Sequence, residues 1–247
     1  MSHRREIGTV KEPLATPRLL SRRQALARLG VSGAALVAGR VGAASSDNAL
    51  PACVVRPRQT EGPFFVDGEP ERSDLRVDSR TGAVKPGVPL RLAFRVSRVV
   101  ASSCAPLSGA QVHVWHCDAA GSYSSVRERR SPSPGEAYLR GFQNTDAAGT
   151  ARFLTIYPGW YPGRAVHVHF KIRIADAGGL SEFTSQLYFD DALSRRVYAA
   201  APYASRGAPE FSNRDDFLFR GGGAKLLLDV TPTGEGYAAV FDIGLQA

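Results

Sequence analysis

Four of the five histidines fall in two close pairs, and imidazole both moves protons near neutral pH and ligates transition metals. The later pair lies in Ala165-Val166-His167-Val168-His169-Phe170-Lys171-Ile172, which has the period of a β-strand. Val166, Val168, Phe170 and Ile172 share one face; His167 and His169 share the other, about 7 Å apart along the strand and close enough to bind one metal ion. The bland alternative is a pair of half-buried histidines satisfied on a sheet surface. His113 and His116, separated by an odd offset, face opposite sides and cannot share a metal without a bulge, so a structural role is expected of them.

The neighbourhood of the His-x-His pair favours chemistry. Immediately before it runs Tyr157-Pro158-Gly159-Trp160-Tyr161-Pro162-Gly163-Arg164, a loop dense in aromatics and turn formers that would hang beside the histidine face. The segment carrying His113 reads as a strand running through Cys117 into a turn that ends at Tyr123. A two-histidine, one-carboxylate ferrous site is poorly supplied: position 173 is arginine, and Asp176 lies past the expected strand end.

These groups need a scaffold, and the sequence supplies strands. Segments 89–100, 110–116, 151–156, 165–174, 182–189, 225–230 and 237–244 have β character, with Gly/Pro/Ser/Asp clusters between them. Without a long amphipathic helix, they predict an all-β fold: a two-sheet β-sandwich of about seven or eight strands with long loops. Residues 191–220 read as an irregular excursion with a short helix near 191–200. The expected organisation is a single domain over 45–247.

The net charge of +8 on 247 residues would suggest a polyanion partner if it were spread over the surface. It is not: residues 1–44 hold eight basic and two acidic residues, and the remainder carries only +2. That leading segment reads as an export signal of twin-arginine type, with Arg22-Arg23, a short apolar stretch from Leu29 to Ala38 and expected cleavage near Ala43 or Ala44. The apolar stretch is too short to span a bilayer, which takes about 20 residues. The expectation is a periplasmic or secreted protein with no membrane anchor in its mature form and no nucleic-acid partner. In an oxidising compartment Cys53, Cys104 and Cys117 allow three single disulfides. Cys53 with Cys104 is the expected pair, because both sit in Pro-flanked, loop-like sequence while Cys117 ends an apolar strand.

Several motifs, in order along the chain, resemble the intradiol ring-cleaving dioxygenases, the family of protocatechuate 3,4-dioxygenase and catechol 1,2-dioxygenase. They are Thr60-Glu61-Gly62-Pro63-Phe64-Phe65 with Arg72-Ser73-Asp74-Leu75-Arg76, then Trp115 to Tyr123, Tyr161 to Phe170, and Gln186-Leu187-Tyr188-Phe189. The resemblance implies a non-haem Fe(III) held by Tyr123, Tyr161, His167 and His169; the Pro-Gly-x-Tyr-Pro match selects Tyr161 over Tyr157. A free phenol has a pKa of about 10, but a trivalent cation deprotonates it, and hard anionic oxygens favour the ferric state. The implied substrates are a small aromatic diol and O₂, and the implied product is a cis,cis-muconate. Tyr161 would take a substrate proton, Arg164 would stabilise developing negative charge, and Gln186 would be its polar partner. Phe64-Phe65 stands where a tyrosine pair is common in the family, and a homodimer or higher assembly is compatible with the sequence. A secreted sandwich of the same fold that binds iron or an aromatic ligand without catalysis is the alternative.

Overall fold

Apolar residues at alternate positions build the first long strand: Leu90, Leu92, Phe94 and Val96 are buried, while Arg91 between them is exposed. The computed structural model describes residues 54–100, 103–126, 135–176 and 178–246; the leader and its cleavage site lie outside them. Among the described residues the strands are β1 (Pro89–Val100), β2 (Ser103–Pro106), β3 (Gln111–Trp115), β4 (Arg140–Asn144), β5 (Thr150–Ile156), β6 (His167–Asp176), β7 (Gly179–Tyr188), β8 (Val230–Pro232) and β9 (Tyr237–Leu245). Helices α1 (Asp191–Tyr198) and α2 (Phe217–Arg220) and two 3₁₀ turns lie between β7 and β8. No described helix is long and apolar enough to cross a membrane.

The strands form two sheets, as an all-β sandwich requires. In one, β1 pairs antiparallel with β2 and β5 and parallel with β9, which carries β8 on its far side. The other is antiparallel throughout, in the order β4-β3-β6-β7. Inward-facing Leu92, Phe94 and Phe241 of the first sheet meet Val114, Val168 and Phe170 of the second in one core. Phe94 is its hinge point, with ring centroids 5.2 Å from Phe170, 5.9 Å from Phe241 and 6.1 Å from Phe153. Phe94→Ala should cost about 3–5 kcal/mol, read as a lowered urea midpoint at unchanged slope.

The outer face of the second sheet is roofed rather than open to water, and this makes the site. Residues 57–67 run across it as a strap: Gln59 N donates to Thr184 O (3.0 Å), Ser185 Oγ to Pro57 O (2.8 Å) and Gln186 Nε2 to Thr60 O (3.1 Å). Lys171, buried on that face, pairs with Glu61 of the strap and with Glu182, and its ammonium lies 4.0 Å from the centre of the Phe65 ring. Arg173 reaches Asp67 at 2.6 Å.

Two expectations need correction. Segment 225–230 is not a strand: Gly223–Leu226 forms a 3₁₀ turn, entered through Gly222 at φ 114°, and only Val230–Pro232 pairs in a sheet. Leu226 and Leu228 are buried and Leu227 is exposed, so the apolar run that suggested a strand takes an alternating burial but makes only a single bridge, from Leu227 to Tyr188. Strands β2 and β4 were not anticipated, because Ser-Cys-Ala-Pro and Arg-Gly-Phe-Gln-Asn carry little apolar alternation. Cys104 therefore sits on an edge strand and not in a loop. It is disulfide-bonded and Cys117 is a free buried thiol; Cys53, the expected partner, lies outside the described residues.

Candidate metal centre

Strand β6 aims both histidines at one point. His167 and His169 project from its roofed face and are buried, with Nε2 atoms only 3.0 Å apart. Tyr161 Oη lies 3.0 Å from His167 Nε2. His167 Nδ1 is 2.6 Å from the Ala165 carbonyl, which can only accept, so Nδ1 carries the proton and Nε2 presents a lone pair. Trp115, opposite His169 in the β3–β6 register, stacks on that imidazole at 5.1 Å and 10°. Gly62 of the strap closes the other side, where a Cβ would approach His169 Cε1 to 3.3 Å.

Two loops deliver the tyrosines. The turn after β3 is tied by Asp118, whose carboxylate accepts from Ala120 N and Ser122 N (3.0 Å each) and pairs with Lys85 at 3.0 Å. It passes so close to the Pro158–Tyr161 loop that glycine is required on both: a Cβ on Gly159 would lie 2.1 Å from Asp118 O, and one on Gly121 2.2 Å from Trp160 O. Tyr123 is thereby brought within 5.8 Å of Tyr161 and 6.4 Å of His169, ring centre to ring centre. Phe64 of the strap stacks on Tyr123 at 4.2 Å. Tyr157 is elsewhere, buried in the sandwich core with its hydroxyl 2.8 Å from Ser194 Oγ.

Electrostatics leave the four groups neutral but ready for a cation. Burial, reinforced by Arg164, holds both imidazoles well below their usual pKa, so their lone pairs are free at neutral pH. Burial pushes Tyr123 well above the usual phenol value and Tyr161 up to about 12, with Arg164 opposing the rise in both. Arg164 is the site's own cation: Nε donates to Asp216 Oδ2 (2.9 Å), one terminal nitrogen to Gln186 Oε1 (2.5 Å) and to Tyr188 Oη (3.3 Å), and the other faces His167 Nε2 at 3.4 Å. Gln186 is committed at both ends, its amide nitrogen to Thr60 O and its oxygen to Arg164, so it orients the arginine.

Tyr123, Tyr161, Arg164, His167, His169 and Gln186 thus lie together, and His113 and His116 lie apart from them. His113 lies against Phe142 and Phe65, and His116 bonds Cys117 O (2.8 Å) and Thr155 Oγ1 (2.7 Å). Among the described residues no group of three or more His, Cys, Asp and Glu side chains is placed to hold a metal; the oxygen donors beside the two histidines are tyrosines. Two imidazole nitrogens and a phenol converging within hydrogen-bond distance, beside a second buried phenol, are a nitrogen and oxygen donor set that suits iron. A cavity of about 630 Å³ opens beside Tyr161, lined also by Gly121, Trp160, Pro162 and Arg206.

Sequence reasoning missed Asp216, Arg140 and Tyr188. Asp216, ahead of Phe217-Leu218-Phe219-Arg220, carries the signal of a helix N-cap and does cap α2; nothing local says that it also reaches Arg164. Arg140 is a buried guanidinium that joins the strap to the Tyr123 loop, donating to Phe64 O (3.1 Å), Ser124 Oγ (2.9 Å) and Ser124 O (2.6 Å).

A family model described as Dioxygenase matches residues 60–206, the span holding the strap, both tyrosine loops and the histidine strand. The chain is 34% identical over 190 residues to the protocatechuate 3,4-dioxygenase beta chain of Burkholderia cepacia, covering 73% of this chain and 76% of that one. Among solved structures, an intradiol ring-cleavage dioxygenase from Tetranychus urticae superposes with a TM-score of 0.66 at 27% identity, over 78% of this chain and 95% of the other. The dioxygenase domain of a carbohydrate-binding fusion protein from Streptomyces sp. SirexAA-E gives 0.54 at 32% identity, over 78% and 99%. Such dioxygenases are oxidoreductases that act with O₂ on catechol-type rings, and the family generally depends on non-haem iron. On its matched span, its fold and its similarity to these enzymes, the chain belongs to the intradiol ring-cleaving dioxygenases.

Proposed function

We propose that this protein is an exported Fe(III) enzyme that cleaves a catechol-type aromatic between its two hydroxylated carbons, consuming O₂ and releasing a cis,cis-muconate. The observation that carries this reading is the convergence of His167 Nε2, His169 Nε2 and Tyr161 Oη within 3.0 Å contacts, with Tyr123 alongside. Bound there, the ion would act as a Lewis acid that makes phenolates of its tyrosines and activates a chelated catechol toward O₂.

The chain's own residues do the rest. Tyr161 sits on a loop beside the cavity and is only partly buried, so its side chain, a phenolate when the ion is bound, can leave the histidines and take a proton from a substrate hydroxyl at Oη, becoming a neutral phenol. Arg164 faces His167 as a cation fixed before the reaction begins, and negative charge gathering on a substrate held at the histidines is stabilised without reorganisation. Phe64 and Trp115 wall the centre with apolar surface and keep water from competing.

Adding Fe(III) to metal-free protein should produce a broad visible charge-transfer band, weakened or shifted in both Tyr123→Phe and Tyr161→Phe, and O₂ uptake on a panel of catechols should track muconate formation. A band indifferent to both substitutions overturns the ligand set. A fully loaded centre without turnover on any catechol overturns the reaction and leaves a binding module. Export rests on the Arg22-Arg23 leader, and an intact amino terminus on protein recovered from the periplasm would overturn that part.

A further inference from the structure

Asp216 comes from the long excursion after β7, far in sequence from the metal centre, yet it is fully buried and both of its oxygens are occupied. Oδ1 accepts from Leu218 N (2.8 Å) and Phe219 N (3.3 Å), which is all that a helix cap needs. Oδ2 turns away from the helix and accepts from Arg164 Nε and Ala165 N, each at 2.9 Å. The Ala165 peptide is thus held at both ends, its N–H by Asp216 and its carbonyl by His167 Nδ1 at 2.6 Å. The Arg164 guanidinium is fixed on one edge by Asp216 and on a second by Gln186 and Tyr188, which leaves the third directed at His167 Nε2.

We infer that Asp216 is a positioning residue for the ring-cleavage reaction: a single carboxylate oxygen aims the Arg164 guanidinium and, through the Ala165 peptide, the His167 imidazole. This rests on the reading of Arg164 and His167 given above. A capping role alone accounts for Oδ1 and leaves Oδ2 unexplained. The two Oδ2 contacts fall on consecutive residues, one of them the site's cation and the other the residue whose carbonyl sets the His167 tautomer. Loss of an outer partner of this kind typically costs about 10–100-fold in activity or metal affinity.

Asp216→Asn separates the two roles. Its amide oxygen can still cap α2, but its NH₂ is set against the N–H groups of Arg164 and Ala165, donor facing donor. The expected result is a fall in kcat of about 10–100-fold with KM changed by less than about threefold. In metal-free protein, nitrogen-15 spectra of the His167 ring should show a reduced share of the Nδ1-protonated tautomer. In an Arg164→Met background the same substitution should lower kcat by less than it does in the parent, since the contact with Arg164 is already gone and only the one through Ala165 to His167 remains. Unchanged kcat and tautomer with only a lower melting temperature, or independent effects in the double variant, would overturn the inference. If the variant fails to fold, the unmodified metal-free protein decides: Arg164 Nε–H must exchange slowly with solvent and His167 must be Nδ1-protonated, and the opposite on either count overturns it. These two readouts do not involve turnover, so they stand apart from any failure of the proposed reaction.

Discussion

Arg164→Met should slow turnover by about 10²–10³-fold, the scale lost when a preorganised charge-stabilising donor is removed from an active site. The same substitution should destabilise the fold by about 3–5 kcal/mol, because it strands the fully buried Asp216 carboxylate opposite an apolar side chain. The two effects have separate origins and separate readouts. Turnover reports the guanidinium edge that faces His167, and urea unfolding reports the edge paired with Asp216. Methionine fills much of the arginine volume, so cavity formation contributes little to either. Iron content should stay near that of the parent, since no proposed ligand is removed. A variant that unfolds more easily but turns over at the parental rate would make Arg164 a structural residue and would remove the electrostatic part of the mechanism.

Acid should destabilise the metal-free protein early, in the range where histidines titrate. His116 is fully buried and doubly hydrogen-bonded, and its pKa is pushed down to about 4 by loss of solvation; His113, buried against two phenylalanine rings, is likewise lowered to about 4. His167 and His169 move in the same direction. Below about pH 6.5 the unfolded chain takes up protons that the folded chain refuses, so stability is complete above that value and declines as pH falls toward about 4. His116 alone accounts for about 3 kcal/mol at the lower limit, set against about 5–15 kcal/mol for a whole domain. Carboxylates held low by partners, such as Asp74 beside Arg76 and Asp67 beside Arg173, lose their contribution at lower pH still, so the histidine phase comes first. Urea midpoints should therefore drop steadily between pH 7 and pH 4.5, and His116→Gln should flatten the slope. A midpoint constant across that range would mean that the buried imidazoles take up protons in the folded state as readily as in the unfolded chain.

What the sequence disclosed, and what it withheld, follows from the range of the contacts involved. Strand β1 was legible to its ends, because Leu90, Leu92, Phe94 and Val96 alternate with polar or small residues and nothing distant alters that pattern. The shared face of His167 and His169 was legible for the same reason. The strap was visible only as a motif around Gly62: its contacts are backbone bonds to Thr184 and ion pairs to Lys171 and Arg173, more than 100 residues away, and no local period encodes them. Asp216 and Arg140 were missed because each does its work across elements, where a helix cap or a short strand was the most that local sequence could suggest. The mistaken strand at 225–230 shows the converse: a run of three consecutive leucines was satisfied by one bridge to Tyr188 and did not need a ladder.

The parallel pairing of β1 with β9 bears on how the molecule is made. Nine consecutive residues of β1, Leu90 to Arg98, find their partners in Tyr237 to Leu245, and the Arg95–Asp242 ion pair spans 147 positions of chain. A strand so central cannot be completed until a neighbour 147 positions further along the chain has also been made. The sandwich must close late and almost all at once, a topology that folds slowly. Until it closes, β1 presents one bare edge rich in apolar residues, and that nascent species, not the finished enzyme, is where chaperone capture or aggregation would act.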